Sequence, residues 1–342
     1  MGTVRTVLGD VVAETIGPVM VHEHVLFNIV PPGVLADRYK PILPHERWQI
    51  DYRSNETQAN AHQTNPDIAS TELIAFGRDG GSLIVDQSVT GLARNATGLA
   101  RASCQSGIHV VAAAGTYTAA FLNSETLAMD EAALTARFTA EINTGIDDTD
   151  IRAGLIGEIG CSWPLHPFEH RALIAAARTQ MATGAAISVH PGRHAQACSD
   201  ILDILETNGA DLTRVILCHM DRTYPDGDGI QLLLDRGATV EWDFFGIEQS
   251  HYWMSDRTEL PSDLGRLRLI QRFSEIGYGA QITISQDICT KTRLQTWGGH
   301  GYGHILRNVR NLMTRLAFSP TLVAELLRKN PLKLLTLKDN IR

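Results

Sequence analysis

The sequence has no apolar run approaching the ~18 residues needed to cross a bilayer. It also has no cluster of lysines and arginines, and its 30 basic residues are outnumbered by 38 acidic ones, for a formal net charge of −8. A membrane protein, a nucleic-acid binder and an anionic-surface binder are all poor readings of such a chain. Cysteine is sparse: Cys104, Cys161, Cys198, Cys218 and Cys289 are odd in number and form no CxxC pair. That pattern fits a reducing cytoplasm better than a disulfide framework. The opening MGTVRTVLGDVVAETIG lacks the apolar core of a signal peptide, so a cytoplasmic location is expected. Two glycosylation-type triplets, Asn55-Glu56-Thr57 and Asn95-Ala96-Thr97, are accordingly read as chance. No GxGxxG or P-loop follows any apolar run, which removes the common phosphate cradles. Repeats, low-complexity runs and interdomain linkers are also missing, and one domain over residues 1–342 is expected.

What is present is an alternation. Short, continuous apolar runs lie at 19–24, 83–86, 109–113, 154–158, 186–190, 215–219, 239–243 and 282–287. Rich in β-branched residues, they read as parallel strands buried on both faces. Helical patterns lie between them, among them 171–181, 199–207, 264–276 and 305–316, and several stop near a glycine (Gly184, Gly209, Gly237). Eight strands alternating with helices predict an α/β fold, a (β/α)8 TIM barrel, with a doubly wound open sheet as the alternative. The one long irregular stretch, residues 26–67, carries five prolines and a short helical pattern near 46–51. Following the first strand, it would lie on the catalytic face as a lid or a wall of the site.

The chain has thirteen histidines, and their positions carry more than their number. Catalytic groups of such barrels sit at the C-terminal ends of strands. Here the first run ends in His22-Glu23-His24, the fourth in Glu158, the fifth in His190, the sixth in His219, the seventh in Asp243 and the eighth in Asp287. His22 and His24, two apart on a strand, present both imidazoles to one side and Glu23 to the other. With His190 and His219 they make four imidazoles around one barrel mouth, which would be costly to keep together without a cation. Glu158 can bridge two cations, and Asp287 completes six donors, too many for one tetrahedral ion and enough for a binuclear metal site. Asp287 is also the candidate catalytic residue, placed to orient a metal-bridging hydroxide and carry its proton to the leaving group. Cys218 should face away from His219, and Cys289 lies in a loop, so neither is expected to be a nucleophile.

These residues in this order resemble the phosphotriesterase family of the amidohydrolase superfamily. The resemblance rests on Val21-His22-Glu23-His24, Gly157-Glu158-Ile159-Gly160, His190-Pro191-Gly192-Arg193, His219-Met220-Asp221-Arg222, Asp287-Ile288-Cys289-Thr290-Lys291 and the run from Trp297 to His304. It extends to Asn330-Pro331 and is greatest to the phosphotriesterase-related, resiniferatoxin-binding-type branch, on Asp243-Phe244-Phe245-Gly246 and Asp287 to Leu294. The resemblance implies a distorted barrel with two divalent ions, usually zinc. His22, His24 and Asp287 would bind the more buried ion, His190 and His219 the more exposed one, with Glu158 between them. Organophosphate-hydrolysing members bridge with a carboxylated lysine, so Glu158 argues against efficient phosphotriester hydrolysis. Zn2+ suits four imidazoles, and Mn2+, Fe2+ or Co2+ could occupy the same set.

The expected activity is hydrolysis of a lactone or carboxylic ester. The alternatives are an amidase acting on small N-acyl compounds with an anionic tail, with phosphotriesterase activity weak or promiscuous, and a non-catalytic ligand-binding barrel. Arg193 and Arg222, each three residues beyond a histidine, are candidate clamps for a carboxylate, sulfonate or phosphate, so a small, anionic substrate is expected. Lys291 and Arg293 lean weakly the same way. Tyr117, after the third run, is a candidate to polarise the scissile carbonyl. His300 and His304 are expected to be structural, and a homodimer is compatible with the sequence.

Overall fold

The structure, a computed structural model, describes residues 2–30, 41–52, 59–248, 252, 254–255 and 257–337. The Asn55 triplet and two parts of the 26–67 loop lie outside the described residues. Eight strands form one parallel sheet in chain order: β1 (Val19–Glu23), β2 (Leu83–Asp86), β3 (His109–Ala114), β4 (Leu155–Gly160), β5 (Ile187–His190), β6 (Val215–Leu217), β7 (Thr239–Trp242) and β8 (Ile282–Ile284). The ring closes between last and first strand, where Asp287 N–H donates to the His22 carbonyl at 3.0 Å and His22 N–H to Ser285 Oγ at 3.0 Å. This is the (β/α)8 barrel expected from the alternation. Glu23 joins the same seam from the outer side: its carboxylate accepts from Ser285 Oγ, Gln286 N–H, Gln286 Nε2 and Ile288 N–H, all at 2.9–3.0 Å.

A helix follows every strand: α1 (Pro66–Arg78), α2 (Ala96–Ser106), α3 (Glu131–Asn143), α4 (Pro167–Thr183), α5 (Ala195–Thr207), α6 (Ile230–Asp235), α7 (Asp263–Glu275) and a last one, Ile305–Val309 running on into Arg310–Arg315. Their starts have local chemical causes. Asn95 and Asp130 cap α2 and α3 by accepting from Gly98 and Ala133, and His166 with Glu169 forms a capping box on α4. Gly184, at φ +72°, ends α4 in the left-handed region where glycine is preferred. In the first loop the expected helix is present at Arg47–Tyr52. Among the described residues no helix is long and apolar enough to cross a membrane.

Alternation along the strands divides the core in two. Val19, Leu83, Val85, Val111, Leu155 and Ile216 pack inside the barrel, sealed below by Val4, Ile16, Leu334 and Leu335. Their neighbours Met20, Ile84, Val110, Ile156 and Leu217 pack outward against the helices. Strict alternation would then turn His22, Glu158 and His219 outward as well. The backbone departs from it at each of these points.

Candidate active site

At β1 the pairing register with β2 shifts between Met20 and Glu23, so Val21 and His22 both face inward. At β4 the register with β5 shifts between Ile156 and Ile159, around Gly157 at φ +109°. A Cβ there would lie 2.0 Å from the Ser188 carbonyl oxygen, so only glycine fits. At β6 the strand ends at Leu217, and His219 takes φ +60°, a left-handed conformation uncommon for a non-glycine residue. This turn overturns one expectation. Cys218 does not face away from the site; its Sγ lies inside the barrel, 3.1 Å from Ser188 Oγ and 3.4 Å from Glu241 Oε2. Burial pushes its thiol well up, which agrees with its being no nucleophile. Asp287, past the end of β8, is also left-handed at φ +47°.

These departures bring all six sequence-predicted donors to one place. Around Glu158 Oε1 lie His22 Nε2 at 3.8 Å and His24 Nε2 at 3.4 Å, and the same two atoms lie 3.8 and 3.2 Å from Asp287 Oδ1. On the other side, Glu158 Oε2 is 2.8 Å from His190 Nδ1 and 3.4 Å from His219 Nε2. Two donor groups thus share one carboxylate, His22, His24 and Glu158 in the first and Glu158, His190 and His219 in the second.

The electrostatics suit cations. His22 Nε2 is fully buried and has no hydrogen-bond partner, although it points at two carboxylates. Burial disfavours charge on His24, yet the hydrogen bonds it donates to Asp287 and Glu158 carry it up to about 9. Burial raises Asp287 and Glu158, but the surrounding histidines win: Asp287 falls to about 2 and Glu158 well below the ordinary carboxylate range. Burial, with Arg222 and Arg193 adding to it, brings His190 down to about 4, leaving it neutral as a metal ligand must be. Neutral His190 and His219, two ionised carboxylates, the unpartnered ring nitrogen of His22, and His24, whose proton a cation would displace, form a donor set that could hold two divalent ions.

Beneath this ring lie residues whose roles the sequence reading missed. Asp243 accepts from His219 N–H at 3.0 Å and lies 2.9 Å from His219 Nδ1, so one carboxylate fixes both backbone and ring. Glu241 Oε2 is 3.2 Å from His22 Nδ1, and Ser88 Oγ is 3.0 Å from His24 Nδ1. Such partners set which ring nitrogen faces the centre. Glu241 was findable, being two residues before Asp243 on a strand and so on the same inner side. Asp221 accepts from Asp243 N–H at 3.0 Å and is itself paired with the fully buried Arg266.

A cavity of about 880 Å3 opens over the centre. Arg193, Arg222 and Tyr117 all line it, as do Ile29 and Asp51 from the described part of the first loop. Arg193 donates to Tyr252 Oη at 3.0 Å and approaches Met254 Sδ at 3.2 Å. Arg222 donates to the Pro191 carbonyl at 2.8 Å and lies 3.1 Å from His190 Nε2. Tyr117 stands edge-on to His190 with ring centres 5.1 Å apart. Lys291 instead covers the Trp297 ring at 5.3 Å, and Arg293 spends its guanidinium on the carbonyls of Asp287, Gln286 and Phe245. Arg293 is thus committed to the backbone, and Lys291 is not among the residues that line the cavity. His304 pairs with Asp263 at 2.7 Å, and His300 Nδ1 lies 3.0 Å from the Gly301 carbonyl, both structural contacts.

Comparison with known proteins agrees with this arrangement. The chain is 35% identical to the N-acetyltaurine hydrolases of Dictyostelium discoideum and Homo sapiens, in alignments covering 98% of this chain and 98% and 99% of theirs. Among solved structures, a resiniferatoxin-binding protein from Rhodobacter sphaeroides superposes with a TM-score of 0.91 at 29% identity, over 98% of this chain and 96% of the other. A sequence model of the phosphotriesterase family matches residues 2–335. The chain belongs to the phosphotriesterase family.

Proposed function

We propose that this hydrolase is an amidase that cleaves small N-acyl compounds carrying an anionic tail, working with two divalent ions, of which zinc best suits the imidazole-rich donor set. The observation that carries the reading is the state of Arg193 and Arg222. Both line the cavity, and among the described residues neither forms an ion pair with a carboxylate. Arg222 is buried and Arg193 exposed; a guanidinium drawn out of water without a counter-ion, as that of Arg222 is, is costly, and an anionic ligand offsets that cost. The relatives named N-acetyltaurine hydrolase support the same class, since N-acetyltaurine is an acetyl amide with a sulfonate tail. A lactone or carboxylic ester, the first expectation from the sequence, accounts for neither observation, so the amide takes precedence.

In this reading His22, His24 and Asp287 would hold one ion and His190 and His219 the other, with Glu158 reaching both. Bound ions would polarise the acyl carbonyl and make water nucleophilic near neutral pH. Arg193 and Arg222 take the tail and so fix the amide nitrogen on the β5–β6 side of the mouth. Tyr117, beside His190, hydrogen-bonds the acyl oxygen. Asp287, ionised at neutral pH, accepts the proton of the attacking water. It returns that proton to the amine nitrogen as the C–N bond breaks, leaving a carboxylic acid and an amine, which at neutral pH become a carboxylate and an ammonium.

Purified protein should contain close to two equivalents of metal and cleave N-acetyl sulfonates or carboxylates faster than uncharged amides. Arg193→Met should raise KM for acidic amides by about tenfold or more and leave KM for neutral amides within about threefold. Hydrolysis confined to lactones, with no acidic amide turned over, would sink the reading.

A further inference from the structure

The cavity is much larger than an acetyl amide requires. An N-acetyl compound with a two-carbon sulfonate or carboxylate tail has about ten non-hydrogen atoms; at roughly 30 Å3 each, a water molecule's share of the liquid, these fill about a third of the 880 Å3 available. The remaining space is not lined at random. The arginines stand on the loops after β5 and β6, and Tyr252, the partner of Arg193, on the loop after β7. Across the ring from them, the loops after β2 and β3 bring Leu92, Tyr117, Phe121 and Leu127 to the cavity.

That wall is continuous with the reaction centre. The Tyr117 ring lies 5.1 Å from His190 on one side and 5.1 Å from Phe121 on the other, edge-on to both. Gly91, at φ +106°, lets the loop after β2 close against it: a Cβ there would lie 3.3 Å from Tyr117 Cβ and 3.4 Å from Phe121 Cβ. The apolar surface of Tyr117, Phe121, Leu127 and Leu92 therefore begins at a candidate metal-binding histidine and leads towards the loop after β2, whereas Trp163 stacks on His194 beside Arg193. A linear amide with its tail on Arg193 and Arg222, and its carbonyl over Glu158 and Asp287, must send its acyl group along that wall.

We infer that the acyl group of the substrate is a medium-length alkyl chain, about six to ten carbons, seated on the wall formed by Leu92, Tyr117, Phe121 and Leu127. This rests on the amidase reading and adds the acyl half of the substrate to it. A methyl group would touch only the start of the wall, whereas a longer chain replaces water over its length, and each buried methylene adds to transition-state binding.

The test is a chain-length series of N-acyl taurines and N-acyl glycines, from acetyl through hexanoyl and octanoyl to palmitoyl, assayed with the metal-loaded enzyme. The expected result is a rise in kcat/KM of roughly two- to fourfold per methylene up to about octanoyl, then a plateau or fall. In Phe121→Asn and Leu127→Asn, each checked for folding by thermal melting, the ratio of octanoyl to acetyl kcat/KM should fall by about tenfold or more. If one variant fails to fold, the other and the wild-type series still decide. Cleavage of the acetyl compounds with falling rates for hexanoyl and octanoyl would overturn the acyl wall and leave the amidase reading standing. No cleavage of any acidic acyl amide would overturn both.

Discussion

The floor of the barrel and its rim are made by the same eight strands under different rules. On the floor alternation is kept: Val19, Leu83 and Leu155 point in, and Met20, Ile84 and Ile156 point out. At the rim it is broken three times, at Val21–His22, at Gly157–Glu158 and at Cys218–His219. The floor needs only apolar contact to hold its pattern. The rim holds conformations that its residues do not favour, and it does so with buried polar clamps. Asp243 grips both ends of His219, Arg293 donates to the Asp287 carbonyl at 2.7 Å, and Ser88 and Glu241 steady the rings of the first strand. Stability and chemistry should therefore be separable by mutation.

The largest effect expected is on turnover. Asp287→Asn should lower kcat by about 10^3-fold or more while the thermal midpoint moves by only a few degrees. A variant retaining a tenth of wild-type kcat would remove Asp287 from its proposed role in proton transfer. Next, Asp243→Asn should weaken metal affinity by about 10- to 100-fold, read by chelator competition, because His219 loses an acceptor for its ring and for its strained backbone. The floor should behave in the opposite way. Leu155→Ala should cost about 2–5 kcal/mol in denaturant unfolding and change metal affinity by less than about threefold. If it loosens the metals as much as Asp243→Asn does, floor and rim are one cooperative unit and the contrast fails.

The smallest expected effect concerns Asp263, which supports the rim from outside through Arg266, the partner of Asp221. Burial raises its pKa, but His304 and Arg266 together bring it from 3.8 to about 2. Because the folded value lies below the free one, the ionised carboxylate contributes stability above pH 3.8 and loses it as the pH falls through about 2. The shift corresponds to roughly 2 kcal/mol. Asp263→Asn should be destabilised by about that much at pH 6 and by clearly less at pH 3. An equal deficit at both would assign the loss to packing.

The same contrast separates what could be read in the sequence from what could not. Floor residues announce themselves through apolar, β-branched runs, so all eight strands and their order were legible. So were the six candidate donors, because they end those runs. The breaks were not legible: a bulge or a left-handed histidine leaves no mark in composition, and β6 and β8 end at Leu217 and Ile284 rather than at His219 and Asp287. Cys218 was misplaced for that reason. Arg293 and Lys291 looked like anion clamps because charge and proximity in sequence say nothing about which carbonyl or ring already occupies a side chain.

Glu23 has a consequence for how the molecule comes into being. It stands between two candidate ligands on the first strand, and its four bonds reach residues 285–288, some 263 positions later in the chain. Asp287, from that same late segment, is the donor that completes the set begun by His22 and His24. During synthesis the first strand is finished long before its partner exists, and no shorter circuit can substitute. Zipping the ends together and completing the ion-binding cluster are one event. Tight metal retention should therefore certify that a chain has been made to its eighth strand and has closed upon itself.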